Sequence, residues 1–435
     1  MKVNRRLFFR IHSWIGVKLS ILFFVICFSG TMATLSSEMD WLFLPESRAT
    51  PQGHYASRNL IVQNLREAYP DGQIEYWTAL EVPYMCDVIY VKEQDQRFYA
   101  FANPYTGEIQ GHAQITFRRF FRDLHYFLFI PFQIGHFTVL IFGFLLLFSL
   151  VTALVFFKEW YKKLFDVKKG KGAMVFFRSV HRVVGIWSVP FLLLFSITGI
   201  WYFLERTNTG NISTTANPSA TKIDPSLSDS TLFETLSVNL DYDRAVQIAQ
   251  EKIAGLQVKT ISPPSSMDGS IYLTGQSDVP LVRFRANRIY LHPQTYEVLT
   301  VQRADEIPAV SWLNDIVDPL HFGFWGGLIT KVIWFLAGLS ISSLILTGIW
   351  ISLKRKVRNE IQRKRQRMGR WKYVNWTILG LMILMMYVFL IGRYHVAMHV
   401  LILVTTFWII SAGLAWYIFD VRLKEQVKKE LASLS

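Results

Sequence analysis

Six long apolar runs constrain this chain more than any other feature. They cover residues 13–35, 132–157, 183–204, 328–353, 374–392 and 396–418. Each is close to the ~20 residues that a helix needs to cross the hydrocarbon of a bilayer. Backbone polar groups in lipid must be satisfied within their own segment, so such runs fold as helices. The expected fold class is an α-helical polytopic membrane protein of about six spans. Of its 435 residues, 51% are hydrophobic.

The formal net charge is +14. The basic residues gather in four stretches on one side of the spans: MKVNRRLFFR, KEWYKKLFDVKKGKG, KRKVRNEIQRKRQRMGRWK and VRLKEQVKKE. The positive-inside rule assigns these to the cytoplasm, together with both termini. The charge is then a topology signal and an attraction for anionic membrane lipid, and no nucleic-acid partner is expected. The first run is too long for the core of a signal peptide, and no small-residue cleavage site follows it. Lys18 lies inside that run, where a charge is costly unless it snorkels or is paired. Cys27 lies in the first span and Cys86 beyond it, too far apart to suggest a disulfide. There is no C-x-x-C-H motif for covalent haem.

The chain repeats itself. With His12 placed on His181, a shift of 169, Gly16 falls on Gly185, Ser29 on Thr198 and Gly30 on Gly199. FFRDLHYF resembles IVDPLHFG, which sets His125 against His321 at a shift of 196. Gly143 then pairs with Gly338 and Thr152 with Thr347, at a shift of 195. Between the paired spans lie two external segments, each opening with a helical pattern (RNLIVQNLREAYP, YDRAVQIAQEKIAG) and continuing in alternating, strand-like stretches. Each closes in a hairpin, FANPYTGEIQG or YLHPQTYEVLT, and reads as a small α+β unit.

The resulting plan is span 1 in 1–36, an external domain in 37–116, span 2 in 117–158, a cytoplasmic loop in 159–180 and span 3 in 181–206. A second external domain follows in 207–318, then span 4 in 319–354, a basic cytoplasmic loop in 355–373, spans 5 and 6 in 374–418 and a cytoplasmic tail in 419–435. NTGNISTTANPSATKIDPSLSDS, leading into the second domain, reads as a flexible linker. A duplicated span–domain–span unit suggests a pseudo-twofold core of four helices, with parallel repeats.

The order of elements, the two N/H-P-x-T-x-E hairpins and the histidine-marked spans resemble the PepSY-associated transmembrane family. That family includes iron-regulated inner-membrane proteins and ferric-siderophore reductases of bacteria. The resemblance covers residues 1 to about 355 and rests most on PYTGE in the first hairpin; the second copy has Tyr296 in place of the glycine, and the last two spans carry no assigned motif. The resemblance implies two external PepSY-like domains, two haem b groups in the helical core and an inner-membrane location with both domains periplasmic.

Seven of the ten histidines lie at or within apolar helices: His12, His125, His136, His181, His321, His395 and His399. Ionisable residues at such depth are functional hypotheses by default. His12 and His181 mark the cytoplasmic ends of their spans, and His125 and His321 the external approaches. Each pair is related by the repeat, and a pseudo-twofold bundle supplies facing imidazoles for an axially ligated haem iron. Gly16 and Gly185 stand one turn beyond their histidines, where a missing side chain admits a flat macrocycle. Arg10, Arg178 and Arg182 are positioned for haem propionates on the cytoplasmic side, and Arg118, Arg119 and Arg122 on the other. His136, whose repeat position is Lys331, and the i, i+4 pair His395 and His399 are further candidates for ligation.

The chain has no P-loop, no G-x-G-x-x-G ahead of a helix and no H-E-x-x-H. Electrons would come from a cytoplasmic reductase or a membrane quinol. The first functional expectation is therefore a di-haem conduit that reduces a ferric siderophore or other metal chelate, with Trp312, Phe322, Phe324 and Trp325 as a floor for it. The alternatives are a non-redox binding or regulatory protein and a transporter component.

Overall fold

The computed structural model describes residues 4–79, 82–219, 221–223, 239–266, 268–361 and 371–432. Residues 224–230 of the expected linker and 362–370 of the basic loop lie outside the described residues. In chain order, α1 (Arg5–Lys18), α2 (Ser20–Thr34), α3 (Ser36–Phe43) and α4 (Arg58–Ala68) precede β1 (Gln73–Thr78), β2 (Asp87–Glu93), β3 (Gln96–Ala102) and β4 (Ile109–Ala113). Then come α5 (Phe117–Phe127), α6 (Phe132–Phe156), α7 (Ala173–Trp187), α8 (Val189–Arg206), α9 (Ile212–Ala216) and α10 (Tyr242–Lys252). β5 (Gln257–Ser262), β6 (Ile271–Gln276), β7 (Asn287–Leu291) and β8 (Val298–Gln302) follow. The chain ends with α11 (Ala309–Phe322), α12 (Gly327–Ile361), α13 (Trp371–Gly392), α14 (Met398–Trp416) and α15 (Arg422–Ala432). Two compact units result: a helical one (Met1–Thr34, Phe121–Phe203, Val332–Ser435) and one built on a sheet (Leu35–Phe120, Leu204–Lys331).

In the helical unit, α6, α8, α12, α13 and α14 are long and apolar enough to cross a membrane. The first apolar run is broken at Leu19, where α1 and α2 meet at 72°. The third run divides at Ser188, the repeat equivalent of Leu19. There Pro190 occupies the second position of α8, where its missing N–H has no intrahelical bond to make. Lys18, the charge in the first span, lies at the end of α1 with its ammonium 5.3 Å from the ring centre of Trp371. A cation over an indole face is a favourable partner.

Two crossings at glycine hold the copies together. A Cβ added to Gly143 of α6 would meet the Gly199 carbonyl carbon of α8 at 3.1 Å. One added to Gly338 of α12 would collide with Thr31 of α2. Gly143 and Gly338 are repeat equivalents, and so are Gly30–Thr31 and Gly199–Ile200. The second helix of each copy thus crosses the first helix of the other. Helices in lipid lack a hydrophobic drive to associate, and close backbone approach at small residues supplies the packing.

The last hairpin is docked through α13, whose Met382, Met386 and Leu390 are buried at successive turns, whereas α14 buries no residue. Basic α15 buries Leu423 and Val427 against Trp350 and Val357, and its Glu430 pairs with Lys354.

The two external segments, expected as separate units, share one antiparallel sheet of order β4-β3-β2-β1-β5-β6-β7-β8. Trp77 faces Ile261 and Thr78 faces Thr260 at its centre. Joining the copies there pairs an edge that each would otherwise expose. The symmetry extends to irregularities: β1 slips register between Ile74 and Tyr76, and β5 between Val258 and Thr260. α4 and α10 cover one face over a core that includes Ile61, Trp77, Ile89, Tyr242, Leu273 and Ile289.

The two hairpins solve the same turn differently. Asn103 accepts hydrogen bonds from the amides of Tyr105 and Thr106, and His292 Nδ1 accepts from Gln294 and Thr295. Gly107 has φ 78°, and Tyr296, which takes its place, has φ 62°. A left-handed tyrosine is strained, but its hydroxyl accepts from the Asp241 amide at 2.6 Å, and Arg244 lies 4.7 Å over its ring. The expected linker is structured in part. α9 packs on α11, and the Ala216 carbonyl accepts from Arg288 at 3.0 Å.

Asp40 of α3 caps α5, accepting from the Phe117 and Arg118 amides at 2.6 and 3.2 Å. Burial pushes its carboxyl up to about 7 against the pull of those amides and of the Arg118 charge. Because the folded value exceeds the ordinary 3.8, the folded chain holds the extra proton between the two. Stability from this group is therefore greatest in acid, falls as pH rises through that window and is level above it. The stability gap between the native chain and Asp40→Asn is expected to shrink from pH 4 to 7, read from melting temperatures in detergent.

Gly143→Leu is expected to destabilise the helical unit by about 1–3 kcal/mol through overpacking. Gly380→Leu, where a Cβ meets nothing within 4 Å, should stay within about 0.5 kcal/mol. Thermal unfolding of the two variants checks the contrast.

Candidate functional site

His12 of α1 and His181 of α7 occupy equivalent turns ahead of the two helix breaks. Their ring centroids are 6.5 Å apart with planes at 77°. His12 Nδ1 lies 3.1 Å from both the carbonyl oxygen and Oγ of Ser149 on α6. His181 Nδ1 lies 2.9 Å from Thr347 Oγ1 on α12. A carbonyl only accepts, so His12 carries its proton on Nδ1. Thr347 donates its one hydroxyl hydrogen to the Ser343 carbonyl at 2.8 Å, so it accepts from His181. Both rings are thereby assigned as Nδ1–H tautomers with the lone pair on Nε2. This is the form in which imidazole binds a metal, oriented by a partner on its other nitrogen.

The spacing fits an axially ligated iron. Two metal–imidazole bonds of about 2 Å, each continued about 1 Å to the ring centre, put centroids roughly 6 to 6.5 Å apart. Among the described residues no three His, Cys, Asp or Glu side chains gather to hold a bare ion. Two imidazoles alone would suit a metal whose other ligands come from a macrocycle. A Cβ at Gly16 would meet nothing within 4 Å, and one at Gly185 would meet only Leu344 at 3.7 Å. Both glycines therefore border space that protein atoms do not crowd.

The nearby arginines divide. Arg10 and Arg178 are exposed. Arg182 is already paired, with Asp166 Oδ2 at 2.8 Å and the Asp166 carbonyl at 2.5 Å. It lies 5.6 Å over the Phe157 ring. Of the three, Arg10 and Arg178 are the ones with side chains open to an incoming carboxylate, and Arg182 anchors the loop ahead of α7.

His125 of α5 belongs to the helical unit and follows the same rule, with Nδ1 2.9 Å from the Ile26 carbonyl of α2. Gly30 admits its ring, since a Cβ there would lie 2.8 Å from His125 Cε1. His136 is buried in α6, with Nδ1 3.2 Å from the Tyr126 carbonyl and its ring stacked on Phe132 at 5.2 Å. Its repeat position, Lys331, makes an ion pair with Glu38 at 2.6 Å.

His321 ends α11 in the sheet unit, beside Phe322 at 5.3 Å. An ionic network holds that helix. Asn314 donates to Glu205 at 2.9 Å, Arg285 pairs with Asp315 at 3.0 Å and Arg283 with Asp318 at 2.7 Å. Trp312, Phe322 and Trp325 are exposed, and Phe324 stacks on Phe322. His395 and His399 do not share a helix face as expected. α14 begins at Met398, and His395 precedes it in a left-handed conformation with φ 48°. Arg393, Tyr394 and Val396 turn back to bond the end of α13 there, which keeps His395 out of the helix.

A family model described as the PepSY-associated TM region matches residues 9–355. The chain belongs to this family. As a PepSY-associated TM protein it is a multi-pass membrane protein with a β-containing unit, and the family match ends before α13. No curated protein matches the chain.

The sequence singled out the imidazoles of this PepSY-associated TM protein but not their hydrogen-bond partners. Ser149 went unnoticed. Thr347 stood out only as the repeat partner of Thr152, and a hydroxyl recurring in mid-span was the available signal. Asp123, a carboxylate two residues before His125, was the other.

Proposed function

We propose that this protein is a di-haem b-type electron conduit of the bacterial inner membrane. Both termini are cytoplasmic and the sheet unit is periplasmic. Electrons supplied by a cytoplasmic reductase or a quinol cross to a periplasmic ferric chelate, most simply a ferric siderophore. The observation that carries the reading is the approach of His12 and His181, each with Nδ1–H engaged and Nε2 left as a donor.

In this reading His12 and His181 would hold one haem iron near the cytoplasmic face. Ser149 and Thr347 keep both rings in the ligating tautomer. Gly16 and Gly185 leave room for the macrocycle, while Arg10 and Arg178 meet its carboxylates. On the periplasmic side His125 is a proposed ligand of a second haem, with His136 as the buried alternative and His321 as its repeat counterpart. Haem held by these residues would supply one-electron transfer. At the far side Fe(III) in the chelate gains that electron and becomes Fe(II), which hard oxygen ligands hold less tightly. The exposed aromatics at Trp312 and Phe322–Trp325 offer a surface for the chelate. The low dielectric of the helical core and the imidazole donors tune the potential.

A visible spectrum of purified protein, oxidised and dithionite-reduced, tests this directly. Two haems per chain are expected, and either His12→Ala or His181→Ala should remove one. A colourless preparation from haem-sufficient cells ends the redox reading.

Thr347→Val removes the acceptor for His181 Nδ1–H while keeping the side-chain shape. Loss of such an orienting partner weakens metal binding by roughly 10- to 100-fold. The variant is expected to lose one haem faster than the native chain when transferred to apomyoglobin. An unchanged rate would remove Thr347 from the site.

A further inference from the structure

α13 and α14 lie beyond the family match, yet the turn between them reaches into the corner that carries His125. That corner is unusual. α5 and α6 are joined through Leu128 and Phe129, two consecutive non-glycine residues with φ of 58° and 52°, and both are fully buried. Each such residue is strained and persists only where its surroundings fix it. Gly135, in the first turn of α6, lies so close to the Phe127 carbonyl that any Cβ would collide with it. The corner has one tight solution and needs something to hold it.

The α13–α14 hairpin supplies contacts around the strained pair. The Tyr394 hydroxyl donates to Asp123 Oδ2, and both groups are buried. Asp123 lies two residues before His125, and Arg122 pairs with its other oxygen at 3.3 Å. The Phe389 ring packs against Phe127 at 5.6 Å and Phe129 at 6.1 Å. The repeat gives these contacts no counterpart. Pro319 occupies the position of Asp123 in the second copy. Tyr394 itself is placed by the turn that sets His395 left-handed, with its amide bonded to the Phe389 carbonyl at 3.0 Å.

We propose that the α13–α14 turn is a clamp on the α5–α6 corner, and that Tyr394 is a positioning residue for His125, acting through Asp123. The proposal rests on the ligand role given to His125 above. A hydrogen bond to a charged group contributes about 1.5–3 kcal/mol, so its loss corresponds to roughly tenfold or more in local opening.

The test uses full-length Tyr394→Phe, with Tyr387→Phe as a control, because the Tyr387 hydroxyl bonds Thr405 within the hairpin itself. Amide hydrogen exchange over residues 121–135 is expected to rise about tenfold in Tyr394→Phe and to stay native-like in the control and in α7. With haem bound, low-spin electron paramagnetic resonance of Tyr394→Phe should show one haem signal shifted and the other unmoved, at undiminished haem content. Asp123→Asn keeps an acceptor for the tyrosine and should shift less than Asp123→Leu. Unchanged exchange overturns the clamp. Raised exchange with both haem signals native overturns the positioning of His125. If the native chain carries no haem, the conduit fails, and the exchange measurement still decides the clamp.

Discussion

The crossing of α6 over α8 at Gly143 and Gly199 fixes more of this protein than any other contact. Its equivalent, α12 over α2 at Gly338 and Thr31, makes the arrangement reciprocal. Neither crossing lies within one copy of the repeat. Each draws the second helix of one copy onto the first helix of the other, so neither copy can move away without unpacking both. The breaks at Leu19 and Ser188 follow from the same duplication. His12 of α1 and His181 of α7, each ahead of its break, stand with their rings 6.5 Å apart.

Placing polar rings there carries its own requirement. An imidazole buried among apolar helices must engage its N–H, or the helix bundle bears the cost of an unmet donor. Ser149, Thr347, Ile26 and Tyr126 meet that need for His12, His181, His125 and His136 in turn, each with an oxygen near Nδ1. One demand, satisfying a buried donor, thus gives His12 and His181 the same tautomer, with the lone pair on Nε2. The chemistry of the site grows out of ordinary hydrogen-bond satisfaction. Where the repeat replaces His136 by Lys331, the side chain is charged and the answer changes with it, to a carboxylate partner in Glu38.

The repeat, the apolar runs and the paired histidines were legible in the sequence because each is written in local spacing. What was not legible depends on residues far apart in the chain. The single sheet needs β1 against β5, a pairing across about 180 residues that no periodicity announces. The break at Leu19 has no proline to mark it, whereas Pro190 marks its partner. Arg182 reads in the sequence as a partner for a propionate, and the fold pairs it with Asp166. His395 and His399 have helical spacing, but helical spacing is only a permission, and the turn after α13 uses His395 otherwise. Tyr296 stands where the hairpin wants glycine, and its compensation lies in α10, about 55 residues earlier.

The two histidine-bearing helices that follow the sheet strands show how duplicated parts come to differ. Aligned on His125 and His321, the Arg118, Arg119 and Arg122 of α5 stand where α11 has Asn314, Asp315 and Asp318. Arginine near a helix N-terminus opposes the macrodipole, and the Asp40 carboxylate at that end of α5 offsets it. Acids in α11 instead meet Arg283 and Arg285, so that helix is tied to the unit built on the sheet. Reversing the charge at equivalent positions thus required different partners, and each partner fixes its helix in its own way. The duplication thus leaves two helices of common origin with different fastenings.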